Sequence, residues 1–120
     1  MAMSGPEPGA TILVVDDEAA TRFSLSEVLR MQGYHVATAA SGEEALALLS
    51  AGTPVDLMLL DIKMPGISGL EVIEAVSKRF PGIVVILLTA FGALDTAIQA
   101  LRHGAHDYLL KPCPIPDILQ

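Results

Sequence analysis

Two adjacent carboxylates, Asp16 and Asp17, close the stretch TILVVDDE at 11–18. A third, Asp61, closes VDLMLLD at 55–61, Thr89 ends IVVILLT at 83–89, and Lys111 ends DYLLK at 107–111. Each of these polar residues stands at the downstream end of an apolar run. Carboxylates bind a hard divalent cation, and one of them can serve as a nucleophile. With a cation, an ammonium group and a hydroxyl donor beside it, that nucleophile has what is needed to stabilise a transferring phosphoryl group. The residues lie far apart along the chain, so the chemistry depends on whether the elements carrying them end at one place.

The elements follow from periodicity. TILVV (11–15) reads as a buried strand. A helical period with Leu25, Val28 and Leu29 on one face follows, stopped by Gly33. YHVATA (34–39) is a short second strand. Ser41-Gly42-Glu43-Glu44 has the spacing of a capping box, and the helix it opens carries Leu46 and Leu49 and ends near Gly52. VDLMLL (55–60) is an apolar strand interrupted only by Asp56. The loop KMPGIS then leads to a second capping box at Ser68–Glu71, whose helix runs through Val72, Ile73 and Val76 to Pro81-Gly82. IVVILL (83–88) is the most β-branched run. A short helix at about 94–103, stopped by Gly104, precedes the last strand, DYLL (107–110).

Strands apolar on both faces that alternate with helices indicate an α/β domain: a parallel sheet covered on both sides and doubly wound through right-handed crossovers. The expected architecture is flavodoxin-like, five-stranded, in the order 2-1-3-4-5, with a fifth helix barely begun. In such a sheet ligands bind outside the carboxyl ends of the strands, where the order reverses between strands one and three. Asp16, Asp17, Asp61, Thr89 and Lys111 are thereby expected at one rim. Three carboxylates there repel, each pair by about 4 kcal/mol at ~4 Å and an effective dielectric near 20. A divalent cation removes that cost, and Mg2+ suits a site of one or two carboxylates plus phosphate oxygens.

Composition sets the outer bounds. The chain has 120 residues, enough for one core; 52% are hydrophobic and 18% charged, which separates it from disordered chains. With no Trp, two Tyr and three Phe, the core must be aliphatic. A formal net charge of −7 argues against a nucleic-acid or anionic-membrane surface. Cys113 is the only cysteine, so no internal disulfide can form; a reduced, cytoplasmic compartment is expected. MAMSGPEPGA (1–10) has neither basic residues nor an apolar segment and reads as a flexible leader rather than a signal peptide. Residues 11–120 form the expected domain, and no apolar stretch approaches the length of a spanning helix.

VVDDE, LLDIKMPGISGLE, LLTAFG and DYLLKP occur in the order and spacing of the receiver domain of two-component response regulators, and from about Thr11 to Asp117 the chain resembles that family. The resemblance implies that Asp61 is the phosphoacceptor, taking a phosphoryl group from a sensor histidine kinase. It implies that Asp17, Asp61 and the backbone carbonyl of Lys63 hold Mg2+, with Asp16 assisting through water. Thr89 would donate to the phosphoryl group and Lys111 would pair with it, across a cis Lys111-Pro112 bond. Tyr108 matches the aromatic that turns inward with Thr89, altering the helix 4–strand 5–helix 5 face that controls an output domain. DIKMPGISGLE and TAFG look similar to receivers of transcriptional regulators that work with the alternative sigma factor fifty-four, so the output could bind DNA. The implied protein is not an enzyme, except for its own phosphorylation and dephosphorylation. Only Asp117 to Gln120 follow Pro116, so the fifth helix is expected to be truncated and the sheet face beneath it open to self-association as a homodimer.

Blander roles remain open for single residues. Asp16 and Asp17 could cap the first helix, Asp61 could be a loop acid, Thr89 a strand or cap residue, Lys111 a solvated cation, and Tyr108 a strand aromatic. His35, His103 and His106 share no metal-ligand spacing. Rival functions are also available. An aspartyl-phosphate hydrolase of the haloacid-dehalogenase type would place a catalytic Asp two residues after the nucleophile, where Lys63 stands. A flavodoxin would carry a Ser/Thr/Gly-rich phosphate loop in place of DDE. A docking module independent of phosphorylation would not require the acids, Thr89 and Lys111 together.

Overall fold

The computed structural model describes residues 9–61, 69–90 and 107–111. Along the chain these form β1 (Thr11–Val15), α1 (Ala19–Met31), β2 (His35–Ala39), α2 (Gly42–Ser50), β3 (Leu57–Asp61), α3 (Gly69–Arg79), β4 (Val84–Ala90) and β5 (Asp107–Lys111). The strands make one sheet in the order β2-β1-β3-β4-β5, and every neighbouring pair is parallel. This is the flavodoxin-like order expected from the alternation of elements. The predicted helix at 94–103, the onset of a fifth helix, the loop at 62–68 with Ser68 of the second capping box, and the Lys111-Pro112 bond lie outside the described residues.

The period of two along each strand explains why the central runs are apolar throughout. Leu13 and Val15 of β1, Met58 and Leu60 of β3, and Val85 and Leu87 of β4 face one core, filled by Ala45 and Leu49 of α2 and by Val72, Ile73 and Val76 of α3. Their neighbours Ile12, Val14, Leu57, Leu59, Ile86 and Leu88 face the other, where α1 brings Leu29, with Leu25 and Tyr34 at its margin. Alternate residues on both sides of a central strand are thus removed from water, each large aliphatic side chain contributing about 1.5–3 kcal/mol. The edge strand β2 has neighbours on one side only, and His35 and Thr38 are exposed on it.

Helix ends are closed as the sequence suggests. Gly33, at φ +96°, donates to Arg30 O at 3.0 Å while the Tyr34 N–H reaches Leu29 O at 3.2 Å. This is a Schellman closure, with Tyr34 packed beside the Leu29 cluster. Gly52 at φ +93° repeats it on Leu49 and Leu48. Ser41 caps α2, its Oγ accepting the Glu44 N–H at 3.1 Å. After α3 the Ile83 N–H returns to Phe80 O at 3.1 Å, so Pro81-Gly82 forms a tight turn into β4.

Several boundaries differ from the periodic reading, β2 starting at His35, β4 at Val84 and β5 running to Lys111 among them. Gly9 and Ala10 belong to the sheet margin rather than to a free leader, because the Gly9 N–H donates to Gly33 O and Ala10 O accepts from His35 N–H, both at 3.0 Å. Val55 and Asp56 precede β3 instead of forming it. The Asp56 carboxylate takes the Thr11 N–H at 2.8 Å, its own N–H reaches Thr11 O at 2.9 Å, and its carbonyl accepts the Val84 N–H at 3.1 Å. One acid thereby ties the starts of β1, β3 and β4. Finally, β4 extends through Thr89 to Ala90 instead of ending at Leu88. Among the described residues no helix is long and apolar enough to cross a membrane.

Candidate functional site

The register of the sheet brings the acids together. The last β1–β3 pair is Val15 with Leu60, so Asp16 and Asp61 stand one residue further along adjacent strands, at the point where the strand order reverses. One carboxylate oxygen from each of Asp16, Asp17 and Asp61 lies within 4.8 Å of the other two. Asp16 is 1% exposed and Asp61 8%, whereas Asp17 faces solvent.

Asp16 is held at three points. Its N–H continues the β1–β2 ladder to Ala39 O at 3.2 Å. One carboxylate oxygen, Oδ1, accepts the Glu18 N–H at 2.9 Å, an Asx turn that leads into α1. Its carbonyl accepts Arg22 Nη1 at 2.7 Å. Glu18 is the N-cap of α1 but makes no side-chain cap bond; its Oε1 accepts from Thr21 Oγ1. Asp16 therefore does serve the helix start, with one oxygen, while belonging to the acidic cluster as well. Asp17 and Asp16 also lie just before the N-terminus of α1, whose partial positive charge favours carboxylates by about 0.3–1 kcal/mol.

Beyond Asp61 the rim continues along β4 and β5. Asp61 pairs with Leu88, and Thr89 is the next residue of β4. Thr89 pairs with Leu110, and Lys111, the last residue of β5, pairs with Ala90. Thr89 and Lys111 are thus placed at the same end of the sheet as the three acids. Tyr108 pairs with Leu87, one residue before the level of the Asp61–Leu88 pair and three before the end of β5. Lys63 lies outside the described residues.

The electrostatic consequence is direct. Two buried carboxylate oxygens within 4.8 Å of one another repel by at least about 3.5 kcal/mol at an effective dielectric near 20. All the donors in the cluster are carboxylate oxygens, which fits a hard cation such as Mg2+ and not a thiolate- or imidazole-seeking metal. Asp16, Asp17 and Asp61 could hold such an ion. Sequence reasoning missed the grip of Arg22 on Asp16. No motif marks it: Arg22 stands six residues downstream with an unremarkable helical spacing, and only the fold of the β1–α1 turn brings its guanidinium back.

Residues 12–120 match the response regulator receiver domain family. Over 103 residues the chain is 40% identical to the response regulator protein FleR of Pseudomonas aeruginosa, covering 86% of this chain and 22% of FleR. Against the DNA-binding transcriptional regulator NtrC of Salmonella typhimurium it is 41% identical over 106 residues, or 88% of this chain and 22% of NtrC. The chain thus spans about a fifth of the length of these two relatives. Among solved structures, a response regulator receiver domain protein from Clostridium thermocellum superposes with a TM-score of 0.86 at 37% identity, covering 91% of this chain and 87% of that one. The response regulator TrrA of Thermotoga maritima, in complex with Mg(2+)-BeF, superposes with a TM-score of 0.80 at 40% identity, covering 91% and 92%. The acidic rim sits in a fold and a sequence that agree with one another, and the chain belongs to the response regulator receiver domain family of two-component signalling.

Proposed function

We propose that this domain accepts a phosphoryl group on Asp61 from a phosphohistidine of a sensor histidine kinase, and that the resulting acyl phosphate changes the surface through which an output is controlled. The observation that carries this reading is the convergence of Asp16, Asp17 and Asp61 within 4.8 Å at the carboxyl ends of β1 and β3. Thr89 and Lys111 stand at the same ends of the next two strands. Family membership and the Mg(2+)-BeF complex of the similar TrrA support it.

In the proposed step an Asp61 carboxylate oxygen forms a bond to phosphorus as the histidine N–P bond breaks. The electron pair of that bond returns to the imidazole nitrogen, which takes up a proton. Burial of Asp61 at the strand end fixes the direction of attack and limits competing water. Asp16, Asp17, Asp61 and the carbonyl of Lys63 would hold Mg2+. When bound, the ion supplies positive charge that offsets the carboxylates and the developing charge on the phosphoryl oxygens. Thr89 donates to a phosphoryl oxygen and Lys111 pairs with the added charge of about −1.5 to −2. Withdrawal of Thr89 toward the phosphoryl group frees space for Tyr108, which shifts the population of two packings on the β4–β5 side of the sheet. The chain works in the cytoplasm and regulates rather than turning over a substrate. Its output partner is a DNA-binding or other effector domain, as the names of the NtrC relatives suggest.

Incubation with acetyl phosphate and Mg2+, followed by intact mass measurement, tests this. A Mg2+-dependent gain of one phosphoryl group, lost in Asp61→Asn and in a chelator, is expected. A modification that survives Asp61→Asn refutes the assignment, and steady turnover of small phosphate esters would favour an aspartyl-phosphate hydrolase.

A further inference from the structure

The Arg22 side chain bonds the backbone of an acid in the cluster, and it carries a full positive charge to within reach of a site proposed to bind a cation. On charge alone this placement is unfavourable. Its geometry suggests a different role. Arg22 sits in the first turn of α1, where side chains lean back toward the helix N-terminus. Nη1 reaches the Asp16 carbonyl at 2.7 Å, a short charge-assisted bond in a half-buried setting. The Arg22 N–H meanwhile donates to Glu18 O at 3.1 Å, and the Glu18 N–H donates to Asp16 Oδ1 at 2.9 Å. Arg22 thereby closes a ring of three bonds through Asp16 and Glu18, with Asp17 spanned inside it.

That ring matters because the two β1 acids sit differently. Asp16 is buried and continues the sheet, but Asp17 is exposed and lies in the turn between β1 and α1. α1 itself adds no side-chain cap bond and no acid in its first turn to hold that turn. The orientation of Asp17 toward Asp61 is set by the peptide on either side of it, and Arg22 fixes the upstream peptide.

We propose that Arg22 is a positioning residue for the acidic site: by holding the Asp16 carbonyl it keeps Asp16 and Asp17 in the arrangement that, with Asp61, binds a divalent cation. This rests on the metal-binding reading above. A partner that orients a ligand residue in this way affects metal affinity by about 10–100-fold when removed. Because Arg22 is half-exposed, the lower end applies, about 10-fold. The electrostatic effect of deleting a cation has the opposite sign, so the direction of the change discriminates between the two roles.

The experiment titrates the purified domain with Mg2+ and follows the amide signals of Asp17 and Glu18 by NMR, with thermal melts in chelator as the measure of folding. Arg22→Ala is expected to weaken Mg2+ binding by about 10-fold, and Arg22→Lys, which keeps a donor and the charge, to recover most of it. If Arg22→Ala does not fold, Arg22→Gln, which retains most of the aliphatic stem, carries the same comparison. Affinity that is unchanged or tighter in a folded Arg22→Ala or Arg22→Gln overturns the positioning role and leaves the metal site standing. Failure of Arg22→Lys to recover binding while Arg22→Ala loses it also overturns the role as stated. Absence of Mg2+ binding by the unmodified domain removes the metal reading and the role of Arg22 together.

Discussion

Replacing Asp61 by Asn should make the metal-free domain more stable, although it removes the residue proposed to do the chemistry. Asp61 is 8% exposed, and its nearest cluster oxygens on Asp16 and Asp17 are within 4.8 Å. The Asp16–Asp61 pair alone is worth about 3.5 kcal/mol of repulsion at an effective dielectric near 20. Desolvation of a buried carboxylate adds to the same side. Asn has nearly the same shape and keeps one acceptor oxygen, so the substitution removes the charge with little change of volume. Relaxation of the turn reduces the gain, leaving about 1–3 kcal/mol, or roughly 4–10 °C in melting temperature.

The sign should change when Mg2+ is added. A ligand that binds only the folded state stabilises it by about 2.7 kcal/mol at a hundred times its dissociation constant. The unmodified domain gains this in full, and Asp61→Asn, with one charged donor fewer, gains less. The two stability curves should therefore approach or cross as Mg2+ rises. Urea unfolding followed by far-ultraviolet circular dichroism measures this directly, since the chain has no Trp to report by fluorescence. A variant that is less stable than the parent in chelator would refute the repulsion argument. Equal Mg2+ stabilisation of both proteins would show that Asp61 does not hold the ion.

Two further substitutions test the scaffold separately from the site. Asp56→Ala removes the acceptor of the exposed Thr11 N–H bond and should cost about 0.5–1.5 kcal/mol in urea unfolding, while acetyl phosphate still modifies Asp61 in the folded fraction. Ser26→Ala should stabilise the domain by about 1 kcal/mol, because Ser26 is 3% exposed in α1 and its Oγ has no hydrogen-bond partner among the described residues; a destabilised variant would show that the hydroxyl is satisfied in solution.

The fold was legible because its determinants are local and repeated. TILVV gives β1 its exact length, since a polar residue follows it and the apolar period has nowhere else to end. Gly33 and Gly52 marked helix ends through the positive φ that the Schellman closures require, and Ser41 announced its cap three residues before Glu44. Asp16, Asp17 and Asp61 could be placed together because a topology rule converts strand ends into neighbours. What escaped was long-range and polar. Asp56 broke the apolar pattern of 55–60 without explanation, and its role emerges only when Thr11, 45 residues away, is laid beside it. Arg22 looked like any solvated helix residue until the β1–α1 turn brought Asp16 O within 2.7 Å. Hydrophobic period reports which face is buried, and is silent about which backbone carbonyl a charged side chain will find.

β3 shows how scaffold and site depend on one another. Leu57 to Leu60 are buried on both faces, and the run is bounded by Asp56 and Asp61. A slip of one residue in one direction would carry Asp61 into the place of Leu60, between Val15 and Leu87. A slip the other way would draw Asp56 into the place of Leu57, between Ile12 and Val84, and break its bond to Thr11. Either would bury an uncompensated carboxylate in an aliphatic layer, at a cost of several kcal/mol. The two acids thus pin the register from opposite ends, although their own energetic signs differ: Asp56 gains a hydrogen bond where it stands, and Asp61 meets two like charges. Because the register is pinned, Asp61 stands one residue beyond the Val15–Leu60 pair, level with Asp16. The convergence of carboxylates that invites a cation is therefore fixed by the same four-residue apolar run that builds the core.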